Sequence, residues 1–325
     1  MKAVRIYARG GVDVLRYEDI ATPSPGTGEV LIAVATAGVN YSDLGQRRGD
    51  YPNLVPLPTT LGNEVAGTIV GRGSDVDGPA DGTRVVALVN GGYAEYAVAP
   101  AALAVAIPDG VSFAQATVIP IQGQTAYLLL ERATRLQAGE RVLVHAAAGG
   151  VGSLAVQLAR LLGAGCVIGS STSPDKAAYI RELGADAAVN TNEPNWVEGV
   201  MRATRGQGVD IVLDPIGGPL GPPNVACLAP FGRMVVFGTL SGAVTPLISQ
   251  MLIPKCLSVS GYNTMIQPPA DQLRASHALL DLIAAGKLHV TLNHSYPLAE
   301  ATAAHAAIEA RQTHGKVVLT VGAAQ

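Results

Sequence analysis

Basic runs, long apolar stretches and paired cysteines are all missing from this 325-residue chain, and each absence removes a class of function. Lys and Arg number 22 against 25 Asp and Glu, a formal net charge of −3, and none of them cluster into the basic stripe with which a nucleic-acid binder neutralises phosphates. No apolar run approaches the ~18 residues that a membrane-spanning helix needs. The first residues, Met1-Lys2-Ala3-Val4-Arg5-Ile6-Tyr7, lack the apolar core of a signal peptide and read as a strand. Cys166, Cys227 and Cys256 are far apart and odd in number, which fits thiols in a reducing compartment better than disulfides. A soluble, cytoplasmic protein with no nucleic-acid or membrane partner is expected. Aromatics are scarce too, at 4%, while 38 glycines and abundant alanine favour close packing of helices on sheets. What remains is ample for burial: 48% of residues are hydrophobic and 14% charged, in a length that suggests about two domains of ~100–200 residues.

The first third reads as β. Short apolar runs at 3–7, 30–36, 65–70, 84–89 and 93–99 are separated by clusters such as Pro23-Ser24-Pro25-Gly26 and Gly71-Arg72-Gly73. That pattern suggests a compact barrel or sandwich. After Pro120 the rhythm changes to strands alternating with helices: a helix over 125–135, strand 141–145, helix 151–162, strand 166–170, helix 175–183, strand 187–189, helix 196–204, then strands 210–213 and 234–237. Strands apolar on both faces in such a series mark a doubly wound parallel sheet. The tail carries helices at 271–285 and 298–311 and a last strand, 316–321, expected to return to the N-terminal domain. The fold class is therefore α/β, a Rossmann doubly wound sheet (120–261) beside a mostly-β domain built from 1–119 and 262–325.

The strongest local signal is Val142-Leu143-Val144-His145-Ala146-Ala147-Ala148-Gly149-Gly150-Val151-Gly152. The spacing is AxxGxxG, a variant of GxGxxG with Ala146 in the first position, directly after an apolar strand and at the start of a long helix. Gly149 and Gly150 let backbone N–H groups approach a diphosphate, the helix terminus faces it with partial positive charge, and Gly152 permits close helix–strand packing. About twenty residues beyond Gly149 an NAD site would place Asp or Glu on the ribose 2′-hydroxyl. Here stand Ser170-Ser171-Thr172-Ser173, followed by Lys176. Hydroxyls and a cation suit a 2′-phosphate, so NADPH is the expected cofactor. The plainer alternative is that Ser173 caps a helix and Lys176 is a solvated charge.

With these motifs placed, the chain resembles the quinone oxidoreductase (zeta-crystallin-like), zinc-independent branch of the medium-chain dehydrogenase/reductase family. The resemblance covers nearly the whole length. It rests on Ala37-Gly38-Val39-Asn40-Tyr41-Ser42-Asp43, Leu61-Gly62-Asn63-Glu64-Val65-Ala66-Gly67, Gly91-Gly92-Tyr93-Ala94-Glu95-Tyr96 and Gln122-Gly123-Gln124-Thr125-Ala126-Tyr127, then the AxxGxxG loop, Asp214-Pro215-Ile216-Gly217-Gly218 and Gly232-Arg233-Met234-Val235-Val236-Phe237-Gly238. It implies a GroES-like N-terminal domain completed by the tail, with the active site in the cleft against the Rossmann domain. It also implies a homodimer or homotetramer joined through the Rossmann sheet edge, at about 239–260.

The family's alcohol dehydrogenases hold catalytic zinc with an early cysteine, a histidine of a Gly-His-Glu motif, and a later acid or cysteine. Here the early position falls in 40–43 without cysteine, the motif has become Gly62-Asn63-Glu64, and the four-cysteine structural zinc lobe is absent. His145 reads as a core histidine on the first Rossmann strand, and the other five are scattered through the tail. No metal is expected, and the Lewis acid that alcohol oxidation needs is lost with it. A substrate that accepts hydride without strong activation fits better: a quinone, or the β-carbon of an enone, enal or enoyl thioester. A reading of another class is a low-turnover NADPH-binding protein with a structural or nucleic-acid role, against which the missing basic patch argues.

By resemblance, Asn40 and Asp43 line the nicotinamide cleft and Tyr51 faces the substrate as hydrogen-bond or proton donor; Tyr51 could equally steady the Pro-rich loop at Tyr51-Pro52. Gln122 and Thr125 are expected at the nicotinamide ribose or diphosphate, Ala148, Gly149, Gly150 and Val151 on the diphosphate, and Ser171, Lys176 and Thr191 near the 2′-phosphate. Phe237, Gly238 and Leu240 form the wall beneath the nicotinamide with Asn263 nearby, and Arg311 matches a position that reaches the adenosine phosphate, or is a helix-terminal cation. Several quinone reductases carry a tyrosine where this chain has Gly45, which predicts a more open pocket for bulkier acceptors. Where they often have a tyrosine near the 2′-phosphate, this chain has Thr191.

Overall fold

The computed structural model describes residues 1–51 and 54–322. Contacts divide it into two compact units, Met1–Gln124 with Pro268 onward, and Thr125–Gln267. In chain order the first unit forms β1 (Lys2–Ile6), β2 (Arg16–Asp19), β3 (Glu29–Val39), helix α1 (Tyr41–Arg48), β4 (Thr59–Thr60), β5 (Glu64–Arg72), β6 (Arg84–Leu88), β7 (Tyr96–Pro100), β8 (Val105–Ala106) and the short α2 (Phe113–Ala116). After a π-helical turn, Ile119–Gly123, the chain runs through α3 (Gln124–Leu128) into the second unit. There follow β9 (Arg141–Val144), α4 (Gly150–Leu161), β10 (Cys166–Ser171), α5 (Lys176–Glu182), β11 (Ala187–Asn190), α6 (Trp196–Ala203), β12 (Val209–Asp214), α7 (Gly221–Cys227), β13 (Leu228–Val236) and β14 (Ser258–Gly261). The chain ends in α8 (Pro269–Ala284), β15 (His294–Pro297), α9 (Ala301–Glu309) and β16 (Val317–Thr320).

The first unit contains a small sheet, β2-β1-β4, and a larger one in the order β15-β16-β3-β5-β6-β8, with β7 also paired to β3. The long β3 alternates inward and outward along most of its length, as a strand with one wetted face should. Its inward residues Val30, Ile32 and Val34 pack with Ile6, Val65, Ile69, Val85 and Leu319 into one core. β16 pairs antiparallel with β3, Val317 opposite Val39 and Thr320 opposite Thr36, so the tail completes a sheet begun near the N-terminus.

The second unit is a six-stranded sheet in the order β11-β10-β9-β12-β13-β14. Every pair in it is parallel. Counted by appearance that order is 3-2-1-4-5-6, the doubly wound arrangement, whose ligands lie outside the carboxyl ends of the strands. Val142, Leu143 and Val144 of β9, at the centre, are fully buried. Two ion pairs brace the opposite, amino-terminal side: Arg141 to Asp210 at 2.8 Å and Arg233 to Glu140 at 2.6 Å. The sixth strand, Ser-Val-Ser-Gly, and α7, which opens Gly-Pro-Pro, carry too little apolar pattern to be read from sequence.

Candidate active and cofactor-binding sites

The loop after β9 has the shape that the AxxGxxG spacing requires. Ala146 takes a left-handed backbone, φ 50°, the conformation that explains why glycine usually holds this first position. Its carbonyl accepts the Gly149 N–H at 2.9 Å, and the Ala147 N–H donates to the Ser170 carbonyl at 2.9 Å. Behind an extended Gly149, α4 begins at Gly150, so the amides of its first turn that have no helical partner are available to an anion. A Cβ on Gly152 would lie 2.2 Å from the Ala146 carbonyl oxygen, so only glycine lets the helix approach the loop this closely. Ala148 is buried beneath the turn, while Gly149, Gly150 and Val151 remain half-exposed.

At the ends of β10 and β11 the hydroxyls gather. Ser171 Oγ donates to the Ser173 carbonyl at 2.7 Å. The Thr191 N–H and hydroxyl both reach the Ser171 carbonyl, at 2.9 and 3.3 Å. Lys176 opens α5, its amide on the Ser173 carbonyl at 3.3 Å. The residue before it, Asp175, holds the N-cap position and makes no side-chain capping bond. No carboxylate ends β10.

Farther along the same edge, the Phe237 N–H donates to the Asp214 carbonyl at 3.0 Å and the Leu240 N–H to the Pro215 carbonyl at 3.1 Å, with Gly238 between them. The Tyr262 N–H reaches the Val236 carbonyl at 2.9 Å, which brings Asn263 beside this segment. Asn263 Oδ1 accepts the Met265 N–H at 2.9 Å, and the neighbouring Thr264 hydroxyl meets that of Thr125 at 2.5 Å.

In the first unit Asn40 and Asp43 are buried at the start of α1, inside a network that uses most of their polar atoms. Asn40 Nδ2 donates to Glu64 Oε1 at 2.6 Å; Asn40 Oδ1 accepts from Gln122 Nε2 at 2.9 Å and from Lys316 Nζ at 3.4 Å. Lys316 and Glu64 form an ion pair with both side chains fully buried. The Ile121 N–H, freed by the π-helical turn, donates to Glu64 Oε2 at 2.9 Å. Asp43 Oδ1 accepts from Asn63 Nδ2 at 2.7 Å, and Oδ2 accepts from the Asn40 N–H at 2.8 Å and the Tyr93 hydroxyl at 3.2 Å. The Tyr93 oxygen also meets His305 Nε2 at 3.2 Å, and His305 Nδ1 lies 3.3 Å from Arg47 Nη1. Arg47, fully buried, ends the chain on Glu309.

Burial, with the Glu64 charge adding to it, pushes the Asp43 carboxyl up to about 7 against the opposing Asn40 amide, Lys316 and Tyr93. Burial and the charges of Arg47 and Arg48 drive His305 down to about 3, so it is neutral. A neutral imidazole accepting from Arg47 at Nδ1 carries its proton on Nε2 and donates to Tyr93. Every donor in that chain therefore points toward Asp43. Gln122 Oε1 is buried with no partner among the described residues, a polar atom left over for a bound molecule.

Tyr51 corrects the expectation for Gly45. The far end of the tyrosine ring abuts the glycine, whose added Cβ would come within 2.6 Å of Cε2 and 3.0 Å of the hydroxyl oxygen. The missing side chain makes room for Tyr51 and opens nothing. Burial, together with the Asp43 and Asp50 charges, raises the Tyr51 hydroxyl, which keeps its proton at neutral pH. Pro52, the other half of the loop reading, lies outside the described residues. Arg311 stands just after α9 with a left-handed backbone, φ 57°.

Most of the sequence-read residues thus fall into two sets, with Tyr51 and Arg311 in neither. Asn40, Asp43 and Gln122 share one network, while the phosphate-loop, hydroxyl and wall residues follow the carboxyl edge of the parallel sheet. Sequence reasoning missed Tyr93, His305, Arg47 and Lys316. The available signal was charge and polarity inside apolar surroundings, as in Lys316-Val317-Val318-Leu319. Among the described residues no group of three or more His, Cys, Asp or Glu is gathered as a metal would require, and no helix is long and apolar enough to cross a membrane.

A doubly wound sheet with a glycine loop at its first helix defines a dinucleotide-binding class of fold. Comparison with known proteins gives the family. Residues 150–284 match the family model described as zinc-binding dehydrogenase, and residues 26–109 the alcohol dehydrogenase GroES-like domain. A quinone oxidoreductase of Pseudomonas aeruginosa is 35% identical over 98% of this chain and 99% of the relative. A 2-haloacrylate reductase of a Burkholderia species is 32% identical over 98% of each. The crystal structure of Escherichia coli quinone oxidoreductase complexed with NADPH superposes with a TM-score of 0.92 at 33% identity, covering 98% of this chain and 100% of that one. The chain belongs to the medium-chain dehydrogenase/reductase family, in its quinone oxidoreductase branch, and is an oxidoreductase.

Proposed function

We propose that this oxidoreductase uses NADPH, without a metal, to reduce quinones. The observation that carries the reading is the edge of the parallel sheet, where Ser171 and Thr191 are hydrogen-bonded at the ends of β10 and β11, Lys176 opens the following α5, and no carboxylate closes β10. That set suits a 2′-phosphate, and the loop at Gly149, with α4 opening at Gly150, suits a diphosphate. NADPH, when bound, supplies the hydride. The residues that would hold it are Ala148, Gly149, Gly150 and Val151 at the diphosphate, Ser171, Lys176 and Thr191 at the 2′-phosphate, and Phe237, Gly238, Leu240, Asn263 and Thr125 at the nicotinamide end. Gln122 offers its unpartnered Oε1, and Arg311 a cation.

The rest of the work is orientation and charge. Tyr51, protonated at neutral pH, donates to the acceptor oxygen on which negative charge grows. Asn40 and Asp43 serve from within: Asp43 holds the Asn63 amide, and Asn40 ties Gln122 to the Glu64–Lys316 pair. At the position where zinc-dependent members carry histidine, Asn63 is committed as a donor to Asp43, so the donor set does not suit zinc. The kinship with a 2-haloacrylate reductase favours a second acceptor class, conjugated alkenes attacked at the β-carbon.

NADPH oxidation followed in parallel with a quinone, an enone and an enoyl thioester decides among these readings. Turnover of the quinone is expected, unaffected by dialysis against a chelator. Oxidation of the alkenes alone would move the assignment to alkene reduction, and cofactor binding with no turnover would favour a non-catalytic protein. Lys176→Glu is expected to weaken NADPH more than NADH. Tyr51→Phe should lower kcat by about a hundredfold if its hydrogen bond forms in the transition state.

Subunits pair through β14, one of the two edge strands of the six-stranded sheet, near which Val244, Ile248 and Ile253 are exposed. Sedimentation should report a dimer or tetramer that Ile253→Arg weakens. The three cysteines are free thiols, in keeping with a cytoplasmic enzyme.

A further inference from the structure

One buried polar chain in the second unit is left unused by the reading above. His145 follows β9 immediately, and with Ser170, Asp214 and Asn224 it is completely buried. His145 Nδ1 lies 2.6 Å from Ser170 Oγ, and Nε2 lies 2.7 Å from Asn224 Oδ1. Asn224 Nδ2 donates to Asp214 Oδ2 at 3.1 Å. Asp214 Oδ1 then accepts two backbone amides, Ile216 at 2.8 Å and Gly217 at 2.9 Å.

The chemistry fixes the direction of each bond. A carboxylate only accepts, so the Asn224 amide nitrogen faces Asp214 and its oxygen faces His145. His145 therefore carries its proton on Nε2 and accepts the Ser170 hydroxyl proton at Nδ1. Burial lowers its pKa and keeps it neutral. The Trp196 ring stands nearly perpendicular to the imidazole, with ring centroids 5.5 Å apart.

Backbone ladders already join β9 to β10 and β12. A histidine needed only as filling would be replaced at no loss by an apolar residue, because each buried polar group is costly unless all its partners are present. The chain begins one residue before Ser171 and passes beneath the phosphate loop. It ends on the turn whose Pro215 and Ile216 carbonyls hold the Leu240 and Ser241 amides, at 3.1 and 3.0 Å.

We propose that Ser170, His145 and Asn224 are positioning residues that set the span between the 2′-phosphate end and the nicotinamide end of the cofactor site. The proposal rests on the NADPH reading above. It makes the relative placement of three loops, after β9, β10 and β12, depend on one hydrogen-bonded line. A whole dinucleotide feels that span, whereas a ligand occupying only the adenosine end does not.

The test is calorimetric titration of the full protein with NADPH and with adenosine 2′,5′-bisphosphate. Asn224→Leu cuts the line between His145 and Asp214. It leaves the His145 Nε2–H and Asp214 Oδ2 without their partner and is expected to weaken NADPH by about tenfold, the scale of buried hydrogen-bonding groups left unsatisfied, and to leave the bisphosphate within about twofold. Hydrogen exchange at the Ile216 and Gly217 amides should quicken in the same variant. Asn224→Ala, which leaves room for a bridging water, should give the same split at roughly threefold and stands in should Asn224→Leu fail to fold. Unchanged NADPH affinity, or equal weakening of both ligands, overturns the proposal, the second because it marks a merely structural role. A wild-type protein that binds neither ligand overturns the NADPH reading itself, and the proposal with it.

Discussion

The two units build their candidate sites from opposite materials. In the second, the candidate site is mostly main chain: a left-handed Ala146, a glycine pressed on its carbonyl, and loop ends at the carboxyl edge of parallel strands. In the first, the site is almost entirely side chain, a buried web of Asn40, Asp43, Glu64, Lys316, Tyr93, His305 and Arg47 with hardly a polar atom to spare. A backbone site tolerates side-chain exchange except where a Cβ will not fit. A side-chain site in a low-dielectric interior tolerates almost none, since each deletion strands a charge or a donor.

The largest effect should therefore come from the fully buried Glu64–Lys316 pair. Lys316→Met removes one charge and leaves the other, and is expected to cost about 3–5 kcal/mol in urea unfolding. The double variant with Glu64→Gln should recover part of that loss. A cost below ~1 kcal/mol would remove the distinction between the two units.

The same contrast explains what was legible in the sequence. The AxxGxxG loop could be read because a backbone turn forces glycine at fixed local spacing, and the strands around it because both their faces are apolar. The web in the first unit joins Asn40 to Lys316 and Arg47 to His305, partners more than two hundred residues apart that no local pattern links. Resemblance supplied Asn40 and Asp43 but not the Tyr93–His305 arm behind them. Gly45 was misread because the occupant of its empty volume, Tyr51, comes from the loop beyond α1. β14 was missed because an edge strand of Ser-Val-Ser-Gly has no apolar face to show.

Next in size is Gly152→Ala. The new methyl would overlap the Ala146 carbonyl, and backbone on both sides leaves it no easy exit. Overpacking of this kind costs about 1–3 kcal/mol, which should appear as a loss of about tenfold or more in NADPH affinity, read by fluorescence titration. Gly45→Ala poses the same question to the first unit with a different answer. There the obstacle is the movable end of the Tyr51 ring, and alanine is the better helix former by about 1 kcal/mol. The melting temperature should hold or rise while kcat/KM for the quinone falls as Tyr51 is displaced. Unchanged kcat/KM would remove Tyr51 from the acceptor site.

A last comparison tests the web by its titration. His305, pushed down to about 3 from an ordinary 6.5, binds fewer protons folded than unfolded, so its contribution to stability is lost as pH falls from 6.5 toward 3. Asp43, pushed up to about 7 from 3.8, does the reverse: its contribution is present at low pH and is lost as pH rises through 7. Both groups touch the Tyr93 hydroxyl, and between pH 4 and 6.5 their slopes oppose, each at most about 1.4 kcal/mol per pH unit. His305→Gln, which can still accept from Arg47 and donate to Tyr93, should unmask the Asp43 slope, so that the variant gains stability relative to wild type as pH falls through that window. Asp43→Asn should unmask the other and lose stability relative to wild type over the same window. Urea midpoints that move in parallel for both variants from pH 7 to pH 4 would mean that Tyr93 does not join two oppositely shifted groups, and the first unit would lose the property that most separates it from the second.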